Sequence, residues 1–202
     1  MISGNKKNNQ IGYFNIIKFS VHYIKTKVKD VVMINQISAK KICFVGLFTA
    51  LNVALSSFGV PVPGGHLYLN DIVICLAALI FDPISAFVIG GVGAFLGDFF
   101  FYPTPMFVSL VTHGLQAVAI SLISHSGKNP AKLARAIIGL TVGLIIMVTG
   151  YSLGRAFIYS TPHYALIKLP FQFAQALTGV KMSLILYYKT PIKNYIGDVQ
   201  NA

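Results

Sequence analysis

Six apolar runs separated by short polar breaks dominate this sequence, and they restrict the fold more than any other feature. Ile42–Val60, Leu67–Phe81, Ile84–Tyr102, Met106–Ser124, Ala136–Ile158 and Tyr164–Tyr188 follow one another. A membrane-spanning helix needs about 20 predominantly apolar residues, and most of these runs approach that length. Only 10% of the chain is charged and 55% is hydrophobic. A soluble domain carries about 25% charged residues, so a surface this poor in charge suits lipid. The expected fold is an all-α integral membrane bundle of six transmembrane helices. The breaks between runs are turn-formers, Pro61-Val-Pro-Gly-Gly65, Asp82-Pro83 and Pro103-Thr-Pro105.

Charge sets the expected orientation. Lys6, Lys7, Lys18, Lys25, Lys27, Lys29, Lys40 and Lys41 precede the first run, Lys128, Lys132 and Arg135 follow the fourth, and Lys189 and Lys193 follow the sixth. The positive-inside rule places both termini in the cytoplasm of a multi-pass cell-membrane protein. The Pro61–Asn70 loop then faces outward. The net charge of +11 does not indicate nucleic acid, because the basic residues flank apolar runs and form no surface stripe. The expected division is a basic cytoplasmic N-terminal extension over 1–38, a six-helix membrane domain over 39–190 and a short cytoplasmic tail over 191–202. Within the extension, Ile11, Phe14, Ile17, Phe19 and Val21 form a weakly amphipathic stretch suited to a membrane surface. The simpler reading is an upstream extension with a second start at Met33. Lys40 and Lys41 before the first run resemble a signal peptide, but five further runs and no small-residue cleavage site favour a retained helix.

Polar residues inside such runs are costly unless paired or wetted, so their positions carry information. His66, Asn70 and Asp71, Asp98 and Tyr102, His113 and Gln116, Tyr151 and Arg155, and Lys168, Gln172 and Gln175 gather toward the outer half. Lys181, on the inner half, can snorkel. The cluster reads as a substrate-binding cavity for a small polar heteroaromatic ligand, with Phe99, Phe100, Phe101 and Phe171 beside it. The plainer reading is mutual pairing, with Arg155 or Lys168 neutralising Asp98. Gln116 and Gln172 are expected to touch the ligand, under a Pro61–Asn70 loop hinged at Gly64 and Gly65 and capped by His66, Tyr68 and Asn70.

Gly46, Ala50 and Ala54 form a small-residue stripe on the first run; Gly93 with Gly97, Gly139 with Gly143, and Gly150 with Gly154 form others. Each serves internal packing or faces a partner. Cys43 and Cys75 lie in apolar runs and read as packing thiols, and no metal or cofactor is expected. Enzyme motifs such as HExxH and Cys-x-x-Cys are missing, Glu is absent, and there is no Walker A pattern. An ion-coupled secondary carrier, or less readily an intramembrane enzyme, using Asp98 and His113 is the alternative to a capture protein. No internal repeat supports an inverted-repeat carrier.

In order and spacing, Asn70-Asp71, Phe81-Asp82-Pro83, Gly90-Gly91, Leu96-Gly97-Asp98, His113-Gly114-Leu115-Gln116 and Leu169-Pro170-Phe171-Gln172, then Gln175 and Gly179, resemble the substrate-specific (S) subunits of energy-coupling factor (ECF) transporters. Ala50-x-x-x-Ala54 resembles that family's coupling motif on the first helix. The resemblance covers Met33 to the C-terminus; the basic stretch before it departs from the pattern. It implies a subunit that captures a water-soluble vitamin outside. The subunit docks on a transmembrane coupling protein held by two cytoplasmic ATPases, and topples to release its cargo inside. Riboflavin-, pyridoxine- or hydroxymethylpyrimidine-type cargo is implied, a vitamin B6-like or pyrimidine ligand first; pantothenate, folate, thiamine and queuosine-type cargo remain open.

Overall fold

The structure, a computed structural model, describes residues 39–126 and 132–192. The amphipathic stretch, the rest of the extension over 1–38 and the tail beyond 192 lie outside the described residues. Six helices form the bundle: α1 Ala39–Ser56, α2 Asn70–Ile80, α3 Pro83–Phe101, α4 Met106–Ser124, α5 Leu133–Tyr159 and α6 Pro162–Lys189. The expected all-α bundle of six helices is the observed one. Turn-formers mark its joints. Asp82 accepts from the Ser85 amide and Pro83 occupies the first turn of α3; Thr161 and Pro162 play the same parts for α6.

Four helices, α1, α3, α4 and α5, are long and apolar enough to cross a membrane. The other two show why hydropathy alone understates the fold. α2 has 11 residues, about 16 Å at 1.5 Å per residue, roughly half of a ~30 Å hydrocarbon core. α6 has 28 residues but its apolar character is broken by Lys168, Gln172, Gln175 and Lys181. α2 is almost wholly buried, and α6 turns Lys168, Gln172 and Gln175 inward while Lys181 stays exposed.

The connection from α1 to α2 is a short antiparallel hairpin, β1 Val60–Val62 against β2 Gly65–Leu67, pairing Val60 with Leu67 and Val62 with Gly65. Pro63 and Gly64 occupy its two central turn positions, and Gly64 has φ of 83°. Proline first and a positive-φ glycine second is the signature of a type II turn.

Close helix approach accounts for most glycines. A Cβ on Gly93 would stand 2.6 Å from Asn52 Nδ2, and one on Gly97 would stand 2.5 Å from Ser56 Oγ, so this stripe seats α1 on α3. Gly139, Gly143, Gly150 and Gly154 likewise seat α5 on Ile120, Thr112 and Val108 of α4. Gly46 differs: nothing lies within 4 Å of its Cβ position, and Ala50 and Ala54 are also exposed. Among the small-residue stripes, only that of α1 faces out of the bundle.

The two ends of the bundle have opposite character. Away from the hairpin lies the apolar core, with Ile74, Leu79, Phe81, Ile89, Ile120 and Leu140 fully buried and Phe48 edge-on to Phe81. At that end Lys41 meets Asp82 at 2.6 Å. The hairpin end holds nearly every buried polar side chain of consequence.

Candidate functional site

Each helix contributes to the hairpin end through a different part of its length. Asn70 and Asp71 open α2, and Asp98 lies in the last turn of α3. Ser109 and His113 sit in the first two turns of α4, Tyr151 and Arg155 near the end of α5, and Lys168, Gln172 and Gln175 in the first half of α6. One pocket under the hairpin is lined by His66, Asn70, Asp98, Tyr102, His113, Tyr151, Arg155, Gln172 and Gln175. These are nine of the ten substrate-binding residues expected from sequence. The tenth, Gln116, does not line the pocket. It is 1% exposed and lies behind the wall, bonded to His113 Nδ1 at 2.7 Å and donating to Asp71 at 3.2 Å.

Two hydrogen-bonded networks hold the walls. In the first, Tyr151 donates to Ser109 Oγ at 2.5 Å and Ser109 donates to Asp98. In the second, Asp71 accepts from Gln116 and, at 2.6 Å, from Gln175 Nε2, while Gln175 Oε1 accepts from the Tyr68 amide at 3.0 Å. Gln172 donates to the Val148 carbonyl at 2.7 Å. Low dielectric makes each of these bonds stronger than in water and each unmade bond costlier.

The expected neutralisation of Asp98 by Arg155 or Lys168 does not occur. Arg155 Nη1 donates to the Gly64 carbonyl at 2.5 Å and lies 5.2 Å from the Tyr159 ring centre; Lys168 donates to the His66 carbonyl. Both cations strap the hairpin by its backbone. The reason is reach: the turn brings its carbonyls directly over α5 and α6, whereas Asp98 finds Ser109 on the neighbouring helix. The phenylalanines also differ from expectation. Phe99, Phe100 and Phe101 are 51–63% exposed on the outside of the bundle. Three consecutive helical residues span about 200° of arc, and Asp98 takes the inward direction. The pocket's aromatic wall is instead Tyr68, Tyr102, Tyr151 and Tyr159 with His66 and His113; His66 lies 5.6 Å from Tyr102 and His113 lies 5.1 Å from Tyr151, both edge-on.

Tyr68 and Lys168 were expected nearby but outside the binding set, and Gly65 as a hinge; Tyr159, Met147 and Pro105, for which no binding role was expected, also line the pocket. Tyr159 had a usable signal, since it lies one helical turn beyond Arg155. Burial pushes the Tyr68 hydroxyl up to about 12, so it stays neutral. Among the described residues, four buried atoms of pocket-lining residues have no hydrogen-bond partner: His66 Nδ1, Asn70 Oδ1, Arg155 Nε and Tyr159 OH. A buried polar atom left unsatisfied costs about 1–3 kcal/mol.

Residues 36–192 match the family model described as "ECF-type riboflavin transporter, S component". The chain belongs to the S-component family of ECF transporters. It is a membrane protein and the substrate-binding subunit of such a transporter, a transport subunit and not an enzyme. An "Uncharacterized protein in gap 3'region" from Pyrococcus woesei is 32% identical over 152 residues, covering 74% of this chain and 99% of that protein. The solved structure described as "Structure and mechanism of the S component of a bacterial ECF transporter" superposes with a TM-score of 0.60 at 19% identity. The match covers 77% of this S component and 96% of that chain. At that identity the likeness concerns the fold.

Proposed function

We propose that the pocket under the β1–β2 hairpin is the capture site, open to the outside of the cell, for a water-soluble vitamin or vitamin precursor with a polar heteroaromatic ring. The observation that carries this reading is the set His66 Nδ1, Asn70 Oδ1, Arg155 Nε and Tyr159 OH, unpartnered among the described residues, on the lining of one tyrosine- and histidine-walled pocket. Flat aromatic walls suit a ring, and scattered donors and acceptors fix its orientation. The outward orientation rests on Lys40, Lys41, Lys132, Arg135 and Lys189, which all lie at the end away from the hairpin. Pyridoxine- and hydroxymethylpyrimidine-like compounds fit the pocket's mix of ring wall and small polar groups, and the matched family's description adds riboflavin.

The exposed Gly46, Ala50, Ala54 stripe is the face for a transmembrane coupling subunit, which two cytoplasmic ATPases would drive. Its support is that it alone among the small-residue stripes meets no helix of the bundle. The deciding experiment is mass spectrometry of the small molecule retained by the purified protein. Calorimetric titration of riboflavin, pyridoxine and hydroxymethylpyrimidine follows. Retention of one such compound supports the reading; no retained compound and no heat from any of the three refutes it.

A further inference from the structure

With Asp71 as a carboxylate, which can only accept, the hydrogen bonds behind the pocket wall have one consistent direction, and they determine what the wall offers a ligand. Gln175 is fixed first. Its Oε1 faces the Tyr68 amide, which can only donate, so its Nε2 must face Asp71, at 2.6 Å from Oδ2. The other carboxylate oxygen, Oδ1, accepts from Gln116 Nε2. That choice turns Gln116 Oε1 toward His113 Nδ1 at 2.7 Å. An amide oxygen only accepts, so Nδ1 must carry the hydrogen. A neutral imidazole with its hydrogen on Nδ1 has a bare Nε2, and on His113, which lines the pocket, this nitrogen makes no hydrogen bond among the described residues. Gln172 is oriented in the same manner. Its Nε2 faces two acceptors, the Val148 carbonyl and Ser152 Oγ at 3.5 Å, which leaves Oε1 as its free end.

We propose that Asp71 and Gln116 are positioning residues that lock His113 in its Nδ1–H tautomer, so that His113 Nε2 and Gln172 Oε1 present acceptors only and the site selects a ligand whose facing edge carries N–H or O–H donors. This inference rests on the reading of the pocket as a capture site, and it narrows the ligand class. An exocyclic amine, a ring N–H or a hydroxyl is recognised there. A ligand edge bearing only carbonyl or ring-nitrogen acceptors meets like with like, and both partners remain unsatisfied. Asp71, 1% exposed and outside the pocket lining, acts on His113 through Gln116 and on the lining residue Gln175 directly.

The test reads the tautomer directly. The full chain in detergent, labelled with ¹⁵N-histidine, is examined by NMR at about pH 8, above the ordinary histidine range. The His113 signals are assigned by their loss in His113→Asn. A protonated Nδ1 with a bare Nε2 is expected. In Asp71→Asn the new amide serves Gln175 with its oxygen and must offer Gln116 its NH₂. Gln116 then turns over, donates to Nδ1, and His113 moves to the Nε2–H form. Gln116→Met, close in size, removes the Nδ1 acceptor together with the donor to Asp71 Oδ1, which lies 3.8 Å from Nδ1, and serves should the first variant fail to fold: loss of the fixed Nδ1–H form is expected there too. An Nε2–H signal in the unmodified protein, or an unchanged tautomer in a folded variant, overturns the proposal. Whichever of riboflavin, pyridoxine or hydroxymethylpyrimidine binds should bind Asp71→Asn about 10-fold or more weakly; equal affinity alongside a switched tautomer also overturns it. If none of the three binds while the tautomer behaves as stated, the ligand class under Proposed function fails and the hydrogen-bond relay stands.

Discussion

Gly64→Ala tests whether the strapped hairpin is a lid. Gly64 has φ of 83°, where an L side chain costs roughly 1–2 kcal/mol. The new Cβ would also stand 3.0 Å from Lys168 Cβ, 3.2 Å from the Lys168 amide nitrogen and 3.2 Å from the Tyr164 carbonyl oxygen. Two of those neighbours are helix backbone and cannot swing away, so the hairpin itself must lift. Taken together, the seated hairpin is disfavoured by about 2 kcal/mol. At 1.4 kcal/mol per decade this corresponds to about 30-fold. If the ligand is held only while the hairpin is seated, that factor appears as faster release and weaker affinity. Stopped-flow release of the retained ligand from the lone subunit measures it. Gly46→Ala is the control, because nothing lies within 4 Å of its Cβ position and binding should be unchanged. A Gly64→Ala protein that melts at a lower temperature yet releases ligand at the original rate would show that the hairpin is structural and that release takes another route.

Other outcomes are expected from separate parts of the molecule. Gln172→Ala removes a pocket acceptor and should weaken binding about 10-fold or more, whereas Lys181→Ala, exposed on the far half of the same helix, should leave calorimetric affinity unchanged. Ala50→Trp and Ala54→Trp should abolish uptake and co-purification with a coupling subunit while the lone subunit still binds ligand; normal uptake would assign the stripe to lipid. Cysteines at Gly65 and Pro103 should be labelled from outside intact cells, and protection of both would reverse the orientation. Burial raises the Asp82 carboxyl, but bonds from Lys41 and Ser85 outweigh it and hold the group below its ordinary value. Its stabilising contribution is therefore complete above the unfolded carboxylate range and is lost as pH falls through the lower, folded value. Melting curves of Lys41→Met should accordingly match those of the parent in strong acid and fall below them near neutrality, by at most about 1 kcal/mol for so exposed a pair.

Hydropathy made the six helices legible because lipid imposes a length and an apolar composition on each. It also located the polar end, because a polar side chain at depth has few other reasons to be there. What it could not supply was pairing. Asp98 seemed destined for a cation by charge alone, yet Ser109 lies on the adjoining helix and Arg155 is taken by the Gly64 carbonyl. The hairpin escaped notice because three-residue strands are too short to show alternation. Gln116 was placed in the right cluster but in front of the wall instead of behind it, since helical spacing from His113 gives a shared face and not a depth. Asp71 showed itself as a buried acid; that it binds both Gln116 and Gln175 depends on α2, α4 and α6 meeting, which no local pattern encodes.

α1 has 17% of its span buried, the least of the four long apolar helices. In the lone subunit its neighbours over most of its circumference are therefore acyl chains, which are interchangeable and follow a grooved surface only loosely. Replacing them with another protein's helix moves apolar surface from one oily medium to another, so the hydrophobic effect contributes almost nothing. What remains is fit: the close approach permitted by Gly46, Ala50 and Ala54, against lipid that cannot fill a shallow groove as densely. An association built that way has a small free energy and a steep dependence on shape. One added methyl group on this face would then separate a lasting complex from a transient one, and the same subunit could exchange between partners without any part of its binding pocket changing.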